Sequence, residues 1–287
     1  MLPGMAAKPS IAIVGAGNLG TALAVSLQRA GYAIEAVMAR SGGKSLARTK
    51  SLAKQIGARA VVGPKDVTAD VLWLCVPDSE IRRAAEGLAG NLKGGGKIAL
   101  HSSGALTSDE LGALRGKGFA VASVHPLMTF VRGSRPSLAA VPFAIEGDAG
   151  AVRVARHIVR DLGGTAYAIR KKDKVAYHAW GAFASPMLTA LLATSERVAA
   201  AAGVKRKDAS RRMIPILLQT LANYASFGAP GAFSGPIVRG DVETVKRHLR
   251  VLRRVPAARK AYSALVQAAL QFLPAKNKNE LKRLLES

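Results

Sequence analysis

His101 and His125, with Ser102 and Ser103 beside the first, and His178, followed by Ser185, are the residues of this 287-residue chain best suited to move a proton. Imidazole titrates nearest to neutrality, so it can serve as acid, base or clamp, and a neighbouring hydroxyl offers a hydrogen bond to a polar substrate. His101 opens "HSSG" and His125 lies in "SVHPLMTF", each at the end of an apolar run; either can equally be a hydrogen-bonded strand-end residue. His178 and Ser185 are seven residues apart, two helical turns, which places them on one face of a helix. His157 falls within "AVRVARHIVRDLGG", an amphipathic pattern, and reads as structural. The single cysteine, Cys75, sits in an apolar run, so no disulfide framework or cysteine zinc site is available and no metal is expected.

A second group of residues is suited to holding phosphate. "IAIVGAGNLG" supplies Gly15, Gly17 and Gly20 at the spacing G-x-G-x-x-G, after an apolar run and at the head of a helical pattern. The first glycine permits a tight turn, the second lets the backbone approach a pyrophosphate, and the third lets helix and strand pack closely. Asn18 and Leu19 carry the opening amides of that helix, which face an anion. About twenty residues on, an NAD site carries an acid for the ribose hydroxyls. This chain has Arg40 and Ser41 instead, with a guanidinium fork and a hydroxyl suited to a 2′-phosphate, so NADP(H) is the expected cofactor. Arg40 as a plain surface arginine is the alternative. Val76 and Pro77, in "VPDSEI", are expected to pass beside the cofactor, and Asp78 to cap the helix that follows.

The elements that must position these groups follow from the apolar pattern. Eight short runs, from Ile11 to Arg170, alternate with helical or loop segments, which implies a doubly wound parallel sheet of Rossmann type with extra strands at its end. After Arg170 the strand signals stop. Residues 171–203 read as one helix of roughly 30 residues, with Pro186 expected to kink it. Helices are expected at about 208–226, 241–253 and 256–273 and in the tail, with Asp241 as a cap and Glu243 paired with Arg247. The fold class is therefore α/β: a Rossmann domain over residues 8–170, then an all-helical domain over 171–287 built round the long helix.

Composition narrows the class. A hydrophobic fraction of 49% excludes a disordered chain. Residues 1–165 carry 20 Lys/Arg against 11 Asp/Glu, and residues 166–287 carry 22 against 7, which sums to the net +24. Such an excess attracts anionic ligands. The cations are scattered and aromatics make up only 5%, so a single-strand nucleic-acid platform is not expected. No apolar run reaches bilayer length and the N-terminal segment lacks a signal-peptide core, so a cytoplasmic protein is expected, with no membrane partner.

The chain resembles the 6-phosphogluconate dehydrogenase-like superfamily, in which a Rossmann domain precedes a helical one. More narrowly, it is similar to Rossmann-like proteins whose second domain is of unknown function, provisionally described as NADP oxidoreductases and related to pyrroline-5-carboxylate reductases and deazaflavin-dependent NADP reductases. The resemblance rests on "GAGNLG", "VPDSEI", "HSSGAL", "SVHPLMTF", "YHAWGAFAS" and "GPIVRGDVETVKRHL". The related β-hydroxyacid dehydrogenases use a helix lysine that aligns with Ala182, so their mechanism does not carry over. His178 is then the nearest titratable group, with Lys174 a further turn back. The resemblance also implies a homodimer through the helical domain, with Arg239 and Asp241 of "GPIVRGD" brought to the substrate cleft, the cleft role of Asp241 being the alternative to the cap.

The combined expectation is an NADP(H)-dependent oxidoreductase acting on a small, anionic carbonyl, imine or alcohol, with His178, His101 and His125 as proton-moving groups and Ser102, Ser103, Ser185 and Arg239 as substrate contacts. The alternative is an NADP(H)-binding sensor or scaffold, for which Ala182 and Pro186 speak.

Overall fold

The computed structural model describes residues 8–39, 43–65, 67–134 and 136–286. It divides into two compact units, the first running through Ala182 and the second from Phe183. The division falls twelve residues beyond the expected boundary at Arg170. The first turns of the long helix belong to the first unit because Lys174 and Tyr177 bury their side chains there.

The first unit is an eight-stranded sheet in the order β3-β2-β1-β4-β5-β6-β7-β8. The strands are β1 (Ile11–Val14), β2 (Ile34–Ala39), β3 (Arg59–Val62), β4 (Val71–Leu74), β5 (Ile98–His101), β6 (Ala120–Pro126), β7 (Pro142–Gly147) and β8 (Thr165–Ala168). Around them lie α1 (Asn18–Arg29), α2 (Gly43–Ile56), α3 (Asp78–Ala89), the single turn α4 (Gly112–Arg115), α5 (Ala149–Asp161) and α6 (Lys174–Ala182). β1, β4 and β5 are buried along their whole length. Two apolar clusters, one containing Ile13, Leu27 and Trp73 and the other Leu72, Ile81 and Leu114, form the core. Continuous burial of this kind requires helices on both faces, and the parallel pairing of β1 to β6 follows from their crossovers. The sheet is not parallel throughout. β7 runs antiparallel to β6 because the chain returns through the loop between Pro126 and Pro142 with no crossover helix among its described residues. α5 then restores parallel pairing between β7 and β8.

The second unit is helical: α7 (Leu188–Ala201), α8 (Arg206–Ala232), the turn α9 (Pro236–Arg239), α10 (Val242–Val251), α11 (Pro256–Phe272) and α12 (Lys278–Glu286). Its core joins Val245, Leu249, Val266, Leu270 and Leu281. The long helix is not continuous. A π-turn over Phe183–Met187 contains Pro186 and separates α6 from α7, as expected where proline removes an amide donor. α8 runs farther than expected at both ends, and a kink at Gly228 (φ 67°) joins two helical stretches within it. Asp241 caps α10 by accepting from the Thr244 amide at 3.0 Å, and Arg247 pairs with Glu243 at 3.6 Å.

Candidate active site at the carboxyl edge of the sheet

The parallel strands β1, β4, β5 and β6 end on one edge, and the phosphate cradle and two of the three histidines leave from it. Gly15 turns out of β1 at φ +105°, and a Cβ there would stand 2.8 Å from the Cys75 carbonyl oxygen. A Cβ on Gly20 would lie 2.0 Å from the Gly15 carbonyl oxygen. Both glycines are required by the packing of the protein on itself. Gly17 is different: its φ is −75°, and a Cβ would meet no atom nearer than the Cys75 carbonyl oxygen at 4.0 Å. Nothing among the described residues demands a glycine at that position, whereas a pyrophosphate brought against the backbone does. α1 has no side-chain cap and no acid in its first turn, so its opening amides and the positive end of its dipole are left for an anion.

A cleft of about 460 Å³ adjoins the cradle, lined by Gly15, Gly17, Met38, Ser45, Arg48, Cys75, Val76 and Pro77 among others. No carboxylate is among its described lining residues. A smaller hollow of about 250 Å³ lies against Gly17, Asn18, Thr21, Ser51 and Arg132, and Arg48 lines both spaces. Asn18 donates its amide to the Phe130 carbonyl at 3.1 Å, tying the loop after β6 to the start of α1, while Leu19 packs against the core. Arg40 and Ser41 lie outside the described residues.

The "HSSG" loop turns inward. His101 is fully buried and uses both ring nitrogens: Nε2 bonds the Thr107 carbonyl at 2.9 Å, and Nδ1 accepts from the Ser103 amide at 3.1 Å. Burial lowers its pKa to about 4, so it is a neutral structural imidazole. Ser102 accepts from Trp73 Nε1 at 2.8 Å. Ser103 donates to the Asp78 carboxylate at 2.7 Å and accepts the Leu106 amide at 2.9 Å. Three residues expected to touch substrate therefore fasten the loop. Asp78 does not cap α3, whose N-cap is Pro77, because its carboxylate is turned to Ser103.

His125 and His178 come together. Their ring centroids are 6.1 Å apart at 82°, with His178 exposed and His125 partly buried. Gly104 fits between them: a Cβ there would lie 2.6 Å from His178 Cδ2 and 2.8 Å from His125 Nε2. His125 Nδ1 is 2.8 Å from the Tyr177 hydroxyl. Burial, then the charge of Lys174 and the neighbouring His178 and His101, lowers the His125 pKa to about 4.

Behind the pair lies Lys174, fully buried, its ammonium donating to Ser123 Oγ at 2.7 Å and to the Ser103 carbonyl at 3.1 Å. Burial lowers its pKa to about 8, opposed by the charges of Glu146 and Asp78. Glu146 accepts the Ser108 amide and hydroxyl at 2.6 and 2.8 Å. Gly104, Ser123 and Tyr177 carry this site but were not singled out from sequence, and Lys174 was named only as the next titratable group behind His178. The available signal was the i, i+3, i+4 spacing of Lys174, Tyr177 and His178 along one helix face, masked by the charge run "RKKDK". Ser185 lies in the π-turn and Arg239 ends α9, both in the second unit; the Ser185 carbonyl accepts the Thr189 hydroxyl at 3.1 Å.

Residues 5–126 match the Rossmann-like domain, and residues 141–269 match a domain of unknown function, DUF2520. Among curated proteins, none matches the chain in sequence. Solved structures share the fold. A Bacteroides fragilis protein assigned provisionally as an NADP oxidoreductase is 21% identical over 91% of this chain and 97% of its own, with a TM-score of 0.75. A Thermotoga maritima protein is 23% identical over 96% and 98%, with a TM-score of 0.70. A reductive aminase from Aspergillus terreus, solved with NADPH and ethyl 5-oxohexanoate, is 14% identical over 96% and 99%, with a TM-score of 0.66.

Proposed function

We propose that this chain, a Rossmann-like domain joined to a DUF2520 domain, is an NADP(H)-dependent oxidoreductase acting on a small carbonyl, imine or alcohol. The observation that carries the proposal is Gly17, whose missing side chain serves no packing need among the described residues, on the sheet edge from which His125 also emerges. β1 and β6 are three strand steps apart, about 14 Å at about 4.8 Å each, so the imidazole stands well beyond the phosphate cradle, towards where the nicotinamide half would extend. The solved aminase with NADPH and an oxo ester supports the same cofactor and carbonyl class.

The residues divide the work. Gly17 and the first turn of α1 hold the pyrophosphate, Val76 and Pro77 bound the cleft, and Arg48 with Ser45 meets the 2′-phosphate that NADP carries. A bound cofactor supplies or accepts the hydride. His125 Nε2 and His178 hold the polar atom of the substrate and move its proton. The net charge of +24 favours an anionic substrate. The exposed apolar faces of α7 and α8 support a homodimer through the helical unit. No single helix among the described residues is long and apolar enough to cross a membrane, and with the lone cysteine this supports a cytoplasmic location.

Calorimetric titration with NADPH and NADH, on wild type and Arg48→Ala, tests the cofactor. Preference for NADPH that falls by about 10- to 100-fold in the variant is expected for loss of a charge-assisted phosphate contact. No binding of either nucleotide sinks the proposal. NADPH oxidation with ethyl 5-oxohexanoate, or with cyclohexanone and allylamine, tests turnover. Tight NADPH binding with every carbonyl and imine refused would favour the sensor alternative.

A further inference from the structure

A hydride reduction must also deliver a proton, and the buried half of the histidine pair is held in its neutral form. Lys174, His178 and His101 surround His125 with cations or potential cations, and Tyr177 is the polar group on its Nδ1 side. A neutral imidazole can still act as an acid if it receives a proton on one nitrogen while giving one from the other. The structure provides a donor chain for that purpose.

The chain is set by strand register. His125 on β6 pairs with Ala144 on β7, and Ala144 pairs with Tyr167 on β8. Side chains in one register row share a face of the sheet, so His125 and Tyr167 project to the same side, two strands apart. Ala144, fully buried, stands between them with only a methyl group. Tyr177 of α6 lies over this row, its ring 5.4 Å from His125 and 6.3 Å from Tyr167, both edge-on. Its hydroxyl is 2.8 Å from His125 Nδ1, and burial, then the neighbouring Tyr167 hydroxyl, raises its pKa. Tyr177 is 8% exposed, whereas Tyr167 is only partly buried.

We propose that His125, Tyr177 and Tyr167 form a proton relay between the substrate and water. The relay rests on the oxidoreductase reading above. In the reducing direction the substrate oxygen or nitrogen takes the Nε2 proton of His125 as the hydride adds to carbon. Nδ1 takes the Tyr177 hydroxyl proton, Tyr177 takes that of Tyr167, and Tyr167 is reprotonated by water. Each group ends with the proton count it began with, so no charge is left in the buried site. His125 ends as its Nδ1–H tautomer; after product leaves, Nε2 takes a proton from water while Nδ1 returns one through Tyr177 and Tyr167, which restores the starting state. In the oxidising direction the hydroxyls rotate and every transfer reverses. His125 is the catalytic residue; Tyr177 and Tyr167 act through it.

Tyr177→Phe and Tyr167→Phe test the relay. Turnover of a carbonyl that the wild type reduces with NADPH should fall about tenfold or more in each, within the range that acid–base assistance supplies, with KM and NADPH affinity unchanged. The solvent deuterium isotope effect on kcat should change in both variants. Nitrogen NMR of labelled histidine, with no cofactor present, should show the His125 tautomer balance altered by Tyr177→Phe and also by Tyr167→Phe, which does not touch the ring. A wild type that turns over while Tyr167→Phe matches it in kcat, isotope effect and histidine spectrum overturns the relay alone. A wild type that neither binds nor oxidises NADPH overturns the oxidoreductase reading, and the relay with it.

Discussion

Gly104 stands against His125 so closely that a methyl group on it would sit 2.8 Å from Nε2, and 2.6 Å from Cδ2 of His178. Two imidazoles from different elements, a strand end and a helix, are thus set at a fixed spacing by the absence of a side chain on a third. Gly104→Ala must move at least one ring. Overpacking of this kind costs about 1–3 kcal/mol. The expected outcome is a modest fall in melting temperature, a fall in kcat on the order of 100-fold, and unchanged NADPH affinity, because the cradle lies on a different strand. A variant with full turnover would show that the histidine spacing is irrelevant to the chemistry.

The glycines of the cradle should separate by substitution. Gly20→Ala drives a methyl into the Gly15 carbonyl oxygen, 2.0 Å away, and is expected to destabilise the fold or prevent it. Gly17→Ala meets no described atom nearer than the Cys75 carbonyl oxygen at 4.0 Å and needs no unusual backbone angle, so thermal unfolding should be nearly unchanged while nucleotide binding is lost. Differential scanning fluorimetry with calorimetric titration reads both. Nucleotide affinity retained by Gly17→Ala would mean that no pyrophosphate rests on that backbone.

The cradle and the strand pattern were legible because both are local. Glycine spacing and continuous apolar runs report a strand, a turn and a helix from adjacent residues. The roles of His101, Ser102 and Ser103 were not, because neighbours far along the chain, Trp73 and Asp78, decide which way a strand-end side chain faces. Lys174 was named only as the next titratable group behind His178, and its burial was not legible for the same reason. A lysine at a helix start reads as solvated, and only the meeting of Ser103, Ser123 and Glu146 around it makes burial tolerable. The reversal of β7 turns on whether the connection after Pro126 folds as a crossover helix, which the apolar runs do not encode.

Acid should unfold the protein through its buried imidazoles. His101 and His125 titrate near the ordinary 6.5 in the unfolded chain and at about 4 when folded. Between those values the unfolded chain binds protons that the native state refuses. Stability is therefore full above about pH 6.5 and is lost as pH falls towards 4. At about 1.4 kcal/mol per unit, each ring is linked to a few kcal/mol at most, less for the partly exposed His125. Urea midpoints measured from pH 7.5 to 4.5 should fall steeply in the wild type and less so in His101→Gln. Equal slopes for the two proteins would show that His101 is not the group being protonated.

The face of α8 predicts how the chain exists in solution. Ile214, Leu218 and Leu221 recur at helical spacing and are 49%, 62% and 57% exposed, and Tyr224 and Phe227 continue the apolar surface at 60% and 68%. Single exposed apolar residues need no partner, but a contiguous set along one helix marks an interface. A second copy of the chain is the expected cover, since α7 beside it offers exposed Leu188 and Leu191 as well. Light scattering at tens of micromolar should give twice the 29.9 kDa chain mass. Leu218→Arg with Leu221→Arg places two charges in that contact and should yield monomer or insoluble protein. A wild type that runs as a monomer at that concentration would remove the dimer from the account and leave the apolar face to some other partner.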